Sequence, residues 1–164
     1  MSITCTHKCT QTQVFGYNLT TMHLIDELKS KRTLVVPAPL AGYTDPALAS
    51  ILVSLCTRHI FYPFISSEGM VKRDIYRKQV SDKLAVWREI VPDGCVYYQI
   101  FGRDPVIMAE AAGMLDRDEK ADVIDLNMGC SVKKIVKSES GSQLLKDLPR
   151  ALKTDSSTWC SFTP

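Results

Sequence analysis

The chain has 164 residues, of which 45% are hydrophobic and 23% are charged, the balance of an ordinary globular domain with a real core. Its formal net charge of +2 is too small to indicate nucleic-acid binding by itself. No apolar run approaches the roughly 20 residues that a membrane-spanning helix needs, and the first residues lack the apolar segment of a secretory signal. The composition therefore predicts a cytoplasmic protein without membrane contact.

The cysteines of the chain are scattered, and without a secretory segment they are predicted to be reduced thiols. Cys5 and Cys9 flank His7, but no second Cys/His pair follows at zinc-finger spacing, so no metal site is predicted. Cys56 falls in a helical apolar pattern and Cys95 lies at the start of a strand. Both are predicted to pack in or near the core.

Residues 1–21 are polar, rich in threonine and without hydrophobic periodicity, which predicts a flexible N-terminal arm. Met22 opens the patterned part of the chain, so either Met1 or Met22 is the natural start. Residues 22–153 carry the strand and helix patterns of one domain, whereas residues 154–164 show no pattern and are predicted to form an unstructured tail.

Short β-branched or aromatic runs alternate with segments of helical periodicity along the domain. The predicted strands begin near residues 33, 60, 95 and 122, and a charged helical segment follows the second strand to about residue 80. A strand–helix repeat of about 27 to 35 residues argues for a parallel sheet with covering helices. Because such connections are nearly always right-handed, the sheet is either an open doubly wound one or part of a barrel.

Two helices are predicted to begin with the same device. Asp45 precedes Pro46, and Asp104 precedes Pro105. An aspartate can cap a helix, and proline suits the first helical position because its missing N–H needs no partner there. Pro63 is unusual inside the second strand, since proline cannot donate a hydrogen bond to a neighbouring strand.

The stretch 121–130 is a short apolar run that ends in Asn127, Gly129 and Cys130. It is predicted to be a buried parallel strand, and the carboxyl ends of such strands are where α/β proteins bind ligands. Neither a Gly-x-Gly-x-x-Gly motif nor a Walker loop is present, so the usual dinucleotide and nucleoside-triphosphate sites have no support.

Cys130 stands where an active-site thiol would, although a half-buried cysteine in a turn is the plain alternative. The basic loop that follows contains Lys133, Lys134 and Lys137. Nearby lysines would favour the thiolate, whereas a proton-donating role needs the thiol. The lysines either contact phosphates or are simply solvated.

Two polar side chains lie at or near predicted strand ends. Gln99 sits inside an otherwise apolar strand and must find a partner, either a cofactor or a core hydrogen bond. Asn127 either hydrogen-bonds a planar ring or forms a turn. The loop 37–42 contains small residues that would let its backbone approach a flat ligand closely, or it is a plain turn.

Three motifs, in order, resemble the tRNA-dihydrouridine synthase family. Residues 38–45, Ala-Pro-Leu-Ala-Gly-Tyr-Thr-Asp, are similar to its opening Ala-Pro-Met-Ala-Gly-x-Thr-Asp. Residues 99–112, which begin Gln-Ile-Phe-Gly-Arg-Asp-Pro, resemble its third βα unit. Residues 125–145, which contain Asp-Leu-Asn-Met-Gly-Cys and the basic loop, resemble its signature block. The similarity runs from about residue 33 to residue 150.

This resemblance implies an α/β fold of the TIM (β/α)8-barrel family, which binds FMN and reduces uracil bases of tRNA with NADPH as electron donor. By position, the implied flavin contacts are the backbone of Pro39, Leu40 and Ala41 and the side chains of Gln99 and Asn127. Asn127 would also orient the uracil, and Cys130 would be the general acid. The implied substrate contacts of the basic loop are Lys133 and Lys134.

The chain departs from the family pattern at several positions. Ser131 stands where the family has proline after its cysteine, and Pro63-Phe64 stands where it has Glu-Met. A (β/α)8 barrel takes roughly 250 residues, so the chain is expected to be a fragment with about four βα units that self-associates through open sheet edges. The alternatives are a non-catalytic remnant that binds RNA or a partner, and a different flavin-barrel enzyme.

Overall fold

A computed structural model of the chain describes residues 36–92, 94–119 and 121–160. The predicted N-terminal arm and residues 33–35 of the predicted first strand lie outside this part. Val36 and Pro37, which end that predicted strand, are described and belong to no strand. Cys5, Cys9 and the last four residues of the predicted tail also lie outside the described residues.

The described part alternates strands and helices, as the sequence predicts. In chain order its elements are α1 (Pro46–Ser54), β1 (His59–Ser66), α2 (Ser67–Lys72), α3 (Asp74–Ile90), β2 (Cys95–Phe101), α4 (Pro105–Glu119), β3 (Val123–Leu126), α5 (Lys133–Lys137), a 3-10 helix (Gly141–Lys146) and α6 (Leu148–Cys160).

The three strands form a parallel sheet in the order β1-β2-β3. Strands that follow each other in the chain are therefore neighbours in the sheet, without the reversal of order that defines a doubly wound sheet. The helices α1 to α4 all contribute to one core with the same face of the sheet. Sequential parallel strands with helices on one face form the wall of a (β/α) barrel.

Residues on the two faces of the sheet alternate along the strands, as the pleat requires, except at an irregularity in β1. The helix-covered outer face carries the core residues Ile60, Tyr62, Ile65, Val96, Tyr98 and Ile100, all at most 4% exposed. The inner face carries a smaller cluster in which Cys95 and Tyr97 pack with Val36, Phe61 and Val123. The predicted core position of Cys95 is confirmed, because its side chain is buried in this inner cluster.

Both predicted helix starts are confirmed. The Oδ1 atom of Asp45 accepts a hydrogen bond from the Leu48 N–H at 2.8 Å, and Pro46 is the first residue of α1. At α4, Asp104 Oδ1 accepts from the Val106 N–H at 2.9 Å, and Pro105 opens the helix. The caps satisfy N–H groups that have no partner within their own helix.

Pro63 lies inside β1, where the register between β1 and β2 shifts between Tyr62 and Ile65. Proline has no N–H to donate to the neighbouring strand, so the pairing is interrupted where it occurs. The irregularity thus accommodates the residue that the sequence marks as unusual. The charged segment that follows is longer than predicted, because α3 continues to Ile90.

The prediction of an unstructured tail from residue 154 is wrong, since α6 continues to Cys160. Thr154 and Thr158 are buried, at 0% and 4% exposure, on a helix that packs against α4. Their hydroxyls donate to carbonyls one turn earlier, from Thr154 to Arg150 and from Thr158 to Thr154. Because these bonds satisfy the hydroxyls inside the helix, a segment that looks polar in sequence can be buried.

Two burial predictions are also wrong. Cys56 is exposed, because α1 ends at Ser54 and the chain leaves it with Cys56 in the left-handed region at φ 65°. β3 is half-buried along its whole length, because in the described part of the chain it pairs only with β2. No described helix is long and apolar enough to cross a membrane.

Candidate active site

Polar side chains meet at the carboxyl end of β2 and β3, on the inner face of the sheet. Gln99 of β2 and Asp125 of β3 are directly paired in the register of the two strands. Asn127 follows Asp125 by two residues, so it continues on the same face just beyond the end of β3. The sequence predicts Gln99 and Asn127 as site residues but does not single out Asp125.

These three side chains form a continuous hydrogen-bonded series. The Nε2 atom of Gln99 donates to Asp125 Oδ2 at 2.5 Å. The Nδ2 atom of Asn127 donates to Gln99 Oε1 at 2.8 Å. All three residues are half-buried. Gln99 therefore finds its partners in the neighbouring side chains of Asp125 and Asn127.

Asn127 connects this series to the loop that carries the cysteine. Its Oδ1 atom accepts from the Gly129 N–H at 3.2 Å and from the Cys130 N–H at 3.0 Å, the local side-chain turn that asparagine commonly forms. Its own N–H donates to the Ile100 carbonyl at 2.9 Å, which extends the pairing of β3 with β2. The turn-forming role of Asn127 is thus confirmed, and contact with a ring stays a prediction.

Cys130 is a half-buried free thiol whose backbone is fixed on both sides. Its N–H is bound by Asn127, and its carbonyl accepts from the Ser142 N–H at 3.0 Å. Gly141 has a φ of +61°, and a Cβ built on it would lie 2.6 Å from the Cys130 carbonyl oxygen. Only glycine meets both the conformational and the spatial requirement at this position.

Gly129, directly before the cysteine, has the opposite surroundings. A Cβ built on this exposed residue would meet no atom within 4 Å. The side of the loop on which Gly129 lies is therefore open, whereas the side facing Gly141 is closely packed. This asymmetry leaves room for a ligand to approach the loop while its backbone stays held.

The lysines of the basic loop lie in α5, just beyond the cysteine loop. Lys133, Lys134 and Lys137 are all exposed. The cation nearest to Cys130 in sequence is thus three residues away and solvated. Contact of Lys133 and Lys134 with a substrate stays a prediction.

The predicted flavin-binding turn, residues 39–41, lies at the β1 side of the sheet. The Leu40 N–H donates to Thr44 Oγ1 at 2.6 Å, and the Leu40 carbonyl accepts from Tyr43 and Thr44. The backbone of Leu40 is therefore engaged within its own turn. In the described residues no hydrogen bond joins this turn to Gln99, Asn127 or Cys130.

A small cleft lies between this turn, α1 and β1, with Pro37, Thr44 and Phe61 among its lining residues. Its cavity volume of about 10 Å³ is room for about one water molecule. A planar ring would not fit inside it. Within the described residues, no group of three or more His, Cys, Asp or Glu side chains could hold a metal ion.

An ion-pair cluster near the cysteine loop was not predicted from the sequence. Glu139 Oε2 lies 3.3 Å from Arg103 Nη1 and 3.4 Å from Arg150 Nη1, and Glu139 has a positive φ of 56°. One carboxylate thus joins the end of β2, the cysteine loop region and α6. No local sequence pattern signals this cluster, because its members are far apart in the chain.

A second aspartate lies at the opposite, amino end of β3. The side chain of Asp122 is fully buried and its Oδ2 accepts from Arg88 Nη1 at 2.5 Å and from the Val96 N–H at 2.9 Å. The Arg88 guanidinium also lies over the Tyr98 ring, 5.8 Å from its centroid. Burial raises the pKa of Tyr98 and of Tyr62 to about 12. This end of the sheet is closed and tightly packed.

Comparison with known proteins identifies the same family as the sequence motifs that carry the residues at the carboxyl end of the sheet. The sequence model of the family described as dihydrouridine synthase (Dus) matches residues 36–153. The matched region includes every predicted site residue.

Individual relatives are similar over the same part of the chain. A "Probable tRNA-dihydrouridine synthase" of Rhizobium leguminosarum bv. phaseoli is 34% identical over 125 residues, which are 75% of this chain and 36% of the relative. The "tRNA-dihydrouridine synthase B" of Proteus vulgaris is 34% identical over 118 residues, 70% of this chain and 33% of the relative. A "Probable tRNA-dihydrouridine synthase" of Treponema pallidum is 32% identical over 113 residues, which are 69% of this chain and 32% of the relative.

The chain spans about a third of the length of these curated relatives. The family model nevertheless covers most of the chain, and the sheet has the sequential parallel order and one-sided helices of a barrel wall. The chain therefore belongs to the dihydrouridine synthase family of oxidoreductases and carries part of its (β/α)8 barrel.

Proposed function

We propose that this chain supplies the flavin- and uracil-facing part of a tRNA-dihydrouridine synthase, which reduces specific uridines of tRNA to 5,6-dihydrouridine with FMN as cofactor and NADPH as electron donor. The activity is proposed for the complete enzyme, since the chain spans about a third of its relatives' length. The observation that carries the proposal is the convergence of Gln99, Asn127 and Cys130 at one end of the inner face.

The residues at this end are chemically suited to the edge of a flavin ring. A side-chain amide nitrogen carries two hydrogens, and one hydrogen of Gln99 and one of Asn127 serve the bonds already described. The second hydrogen of each would donate to the carbonyl-rich edge of the isoalloxazine. The backbone of Pro39 and Ala41 would contact the ring from the β1 side, while Leu40 keeps its polar groups within the turn.

Gln99 and Asn127 would hold the flavin, whose chemistry when bound would be hydride transfer to the uracil double bond with NADPH as the electron donor. The thiol of Cys130 would give its proton to the adjacent carbon, and the resulting thiolate would regain a proton from solvent. This role requires the thiol form of the side chain. The hydrogen bonds to the Cys130 backbone would hold the sulfur in position during the transfer.

The substrate base must leave the folded tRNA before it can reach Cys130, which costs a few kcal/mol. Lys133 and Lys134 are exposed beside the cysteine loop, where they would contact the tRNA backbone and help to offset this cost. The open side of Gly129 would admit the base. The assignment to the cytoplasm stays a prediction from composition.

The first experiment records the visible absorbance of the purified chain before and after FMN is added. Bound flavin near one equivalent supports the proposal, and a protein that stays colourless in excess FMN contradicts it for this chain. The second experiment uses the complete enzyme that contains this chain. It measures the dihydrouridine formed, with NADPH present, in tRNA that lacks this modification. Cys130→Ser should lower the rate by about 100-fold or more, the usual contribution of a general acid.

Cys56→Ser is the matched control for the second experiment. Cys56 is an exposed thiol after α1, so its loss should leave the rate unchanged. Equal rates for the Cys130→Ser variant and this control would contradict the general-acid role.

The second candidate function is a non-catalytic module that binds RNA or a partner. It is favoured by two observations, the exposed Lys133 and Lys134 of α5 and the pairing of β3 with β2 alone among the described strands. An unpaired strand edge also favours self-association. A colourless chain that binds tRNA, or that sediments as a dimer, would support this function over the enzymatic one.

A further inference from the structure

Asp125 has no role in the proposed chemistry, yet its carboxylate is the first member of the hydrogen-bonded series that continues through Gln99 and Asn127 to the backbone of Cys130. It lies in β3 opposite Gln99, and it is half-buried on the inner face. A carboxylate in this setting must be paired. Among residues 36–92, 94–119 and 121–160, the partner that the structure gives it is the neutral amide nitrogen of Gln99 at 2.5 Å, and not a cation.

The carboxylate of Asp125 determines which atoms of Gln99 and Asn127 act as donors and which act as acceptors. A side-chain amide can be turned over, which exchanges its donor and its acceptor, but an ionised carboxylate can only accept. Asp125 therefore requires Gln99 to present Nε2 to it and Oε1 to Asn127. Asn127 must then present Nδ2 to Gln99, which leaves its Oδ1 to face the loop.

The loop needs an acceptor at that point. The N–H groups of Gly129 and Cys130 both donate to Asn127 Oδ1. If Gln99 and Asn127 were both turned over, the amide nitrogen of Asn127 would face these two N–H groups and both hydrogen bonds would be lost. A single acceptor-only group, two side chains away, excludes that arrangement.

We infer that Asp125 is a positioning residue, which sets the direction of the hydrogen bonds through Gln99 and Asn127 and thereby holds the Cys130 loop in place. The significance of that loop for catalysis rests on the proposed function, whereas the direction of the bonds does not. The same bias would keep the second amide hydrogens of Gln99 and Asn127 pointing outward, as donors to a carbonyl-rich ligand.

The test replaces Asp125 by asparagine, which keeps the shape but can donate as well as accept. Gln99 can then turn either its amide nitrogen or its amide oxygen towards residue 125. In addition, the charge-assisted hydrogen bond becomes a neutral one of about half the strength. Backbone amide exchange of Gly129 and Cys130, measured by NMR on the full chain without cofactor, should accelerate on the order of fivefold. Asp116→Asn, at an exposed position of α4, is the matched control and should change neither amide.

A second variant separates positioning from simple destabilisation. Gln99→Met interrupts the series, so Asp125→Asn should accelerate exchange no further in a Gln99→Met background. Equal effects of Asp125→Asn in both backgrounds, or no effect on the two amides, would overturn the inference. Acceleration that disappears in the Gln99→Met background supports it even if the chain binds no FMN, so this test and that of the proposed function fail separately.

Discussion

The two ends of β3 each carry an aspartate, and the two are used in different ways. Asp122 at the amino end is fully buried and paired with the Arg88 guanidinium. Asp125, three residues later at the carboxyl end, is half-buried and accepts from one neutral side-chain amide, that of Gln99. A charge pair closed inside a core stabilises the fold, whereas the role proposed for Asp125 is to direct the donors and acceptors of the site. Substitutions at the amino end of β3 are therefore expected to change the free energy of unfolding, and those at its carboxyl end to change the site.

The largest expected effect concerns the amino end. Arg88→Met leaves the buried Asp122 carboxylate without its cation, and within the described part of the chain its Oδ1 already has no hydrogen-bond partner. The free energy of unfolding should fall by about 3 kcal/mol, the lower end of the range for broken buried pairs, because Arg88 is partly exposed. Urea denaturation followed by circular dichroism measures the change.

Arg77→Met is the matched control on the same helix. Arg77 pairs with Asp74 three residues away, and both side chains are solvated, at 37% and 88% exposure. Its loss should cost no more than about 0.5 kcal/mol. Similar costs for the two variants would remove the distinction between a structural pair at the amino end and an ordinary surface pair.

The next effect concerns the cysteine loop at the carboxyl end. Gly141→Ala must place a Cβ 2.6 Å from the Cys130 carbonyl in a left-handed conformation, which should destabilise the chain by about 2 kcal/mol. The rate at which Cys130 reacts with a thiol reagent should change as well, because the loop must shift. Mass spectrometry of the labelled peptide follows that rate, with exposed Cys56 as internal reference.

Gly129→Ala should behave differently although it lies beside the same cysteine. The added methyl meets open space, so the change in unfolding free energy should stay within about 0.5 kcal/mol. If Gly129→Ala is as destabilising as Gly141→Ala, the side of the loop at Gly129 is not open.

The last effect, which appears only at alkaline pH, is a pH dependence of the closed outer face. Burial raises the pKa of Tyr98 and Tyr62 to about 12, from an ordinary value of 10.0. Their neutral forms are favoured in the folded state, so the stability that they contribute is complete below pH 10 and is lost as the pH rises towards about 12. Tyrosinate absorbance and urea denaturation across this range measure it.

Tyr98→Phe should reduce this alkaline loss of stability, because the buried group that must ionise is removed. Tyr43→Phe, at a ring that is 76% exposed, controls for the loss of a phenol and should leave the pH profile unchanged. A profile that is the same for all three proteins would show that Tyr98 is not held neutral by the fold.

Local signals in the sequence predicted the helix starts and part of the site. Asp45 and Asp104 each precede a proline, and both cap their helices because capping involves only neighbouring residues. Gln99 and Asn127 meet at the carboxyl edge of the sheet because parallel strands end at the same edge, and binding of a ligand there stays a prediction. Alternation along a strand could also have placed Asp125 on the face of Asn127.

Features that depend on contacts distant in sequence were not predictable in this way. Gly141 is required by the carbonyl of Cys130, which reaches it only through the fold. Thr154 and Thr158 look like tail residues until α4 provides a surface for them to pack on. Cys56 has the pattern of a helix residue, and only the end of α1 at Ser54 exposes it.

The ion-pair cluster of Glu139, Arg103 and Arg150 determines how the contacts of α6 respond to salt. All three side chains are more than a third exposed, and the Debye length is only about 8 Å at physiological ionic strength. Added salt therefore weakens the two links at once. Because Glu139 is common to both, salt would weaken the electrostatic link of α6 and that of Arg103 together, while the buried packing of α6 against α4 keeps the helix in place.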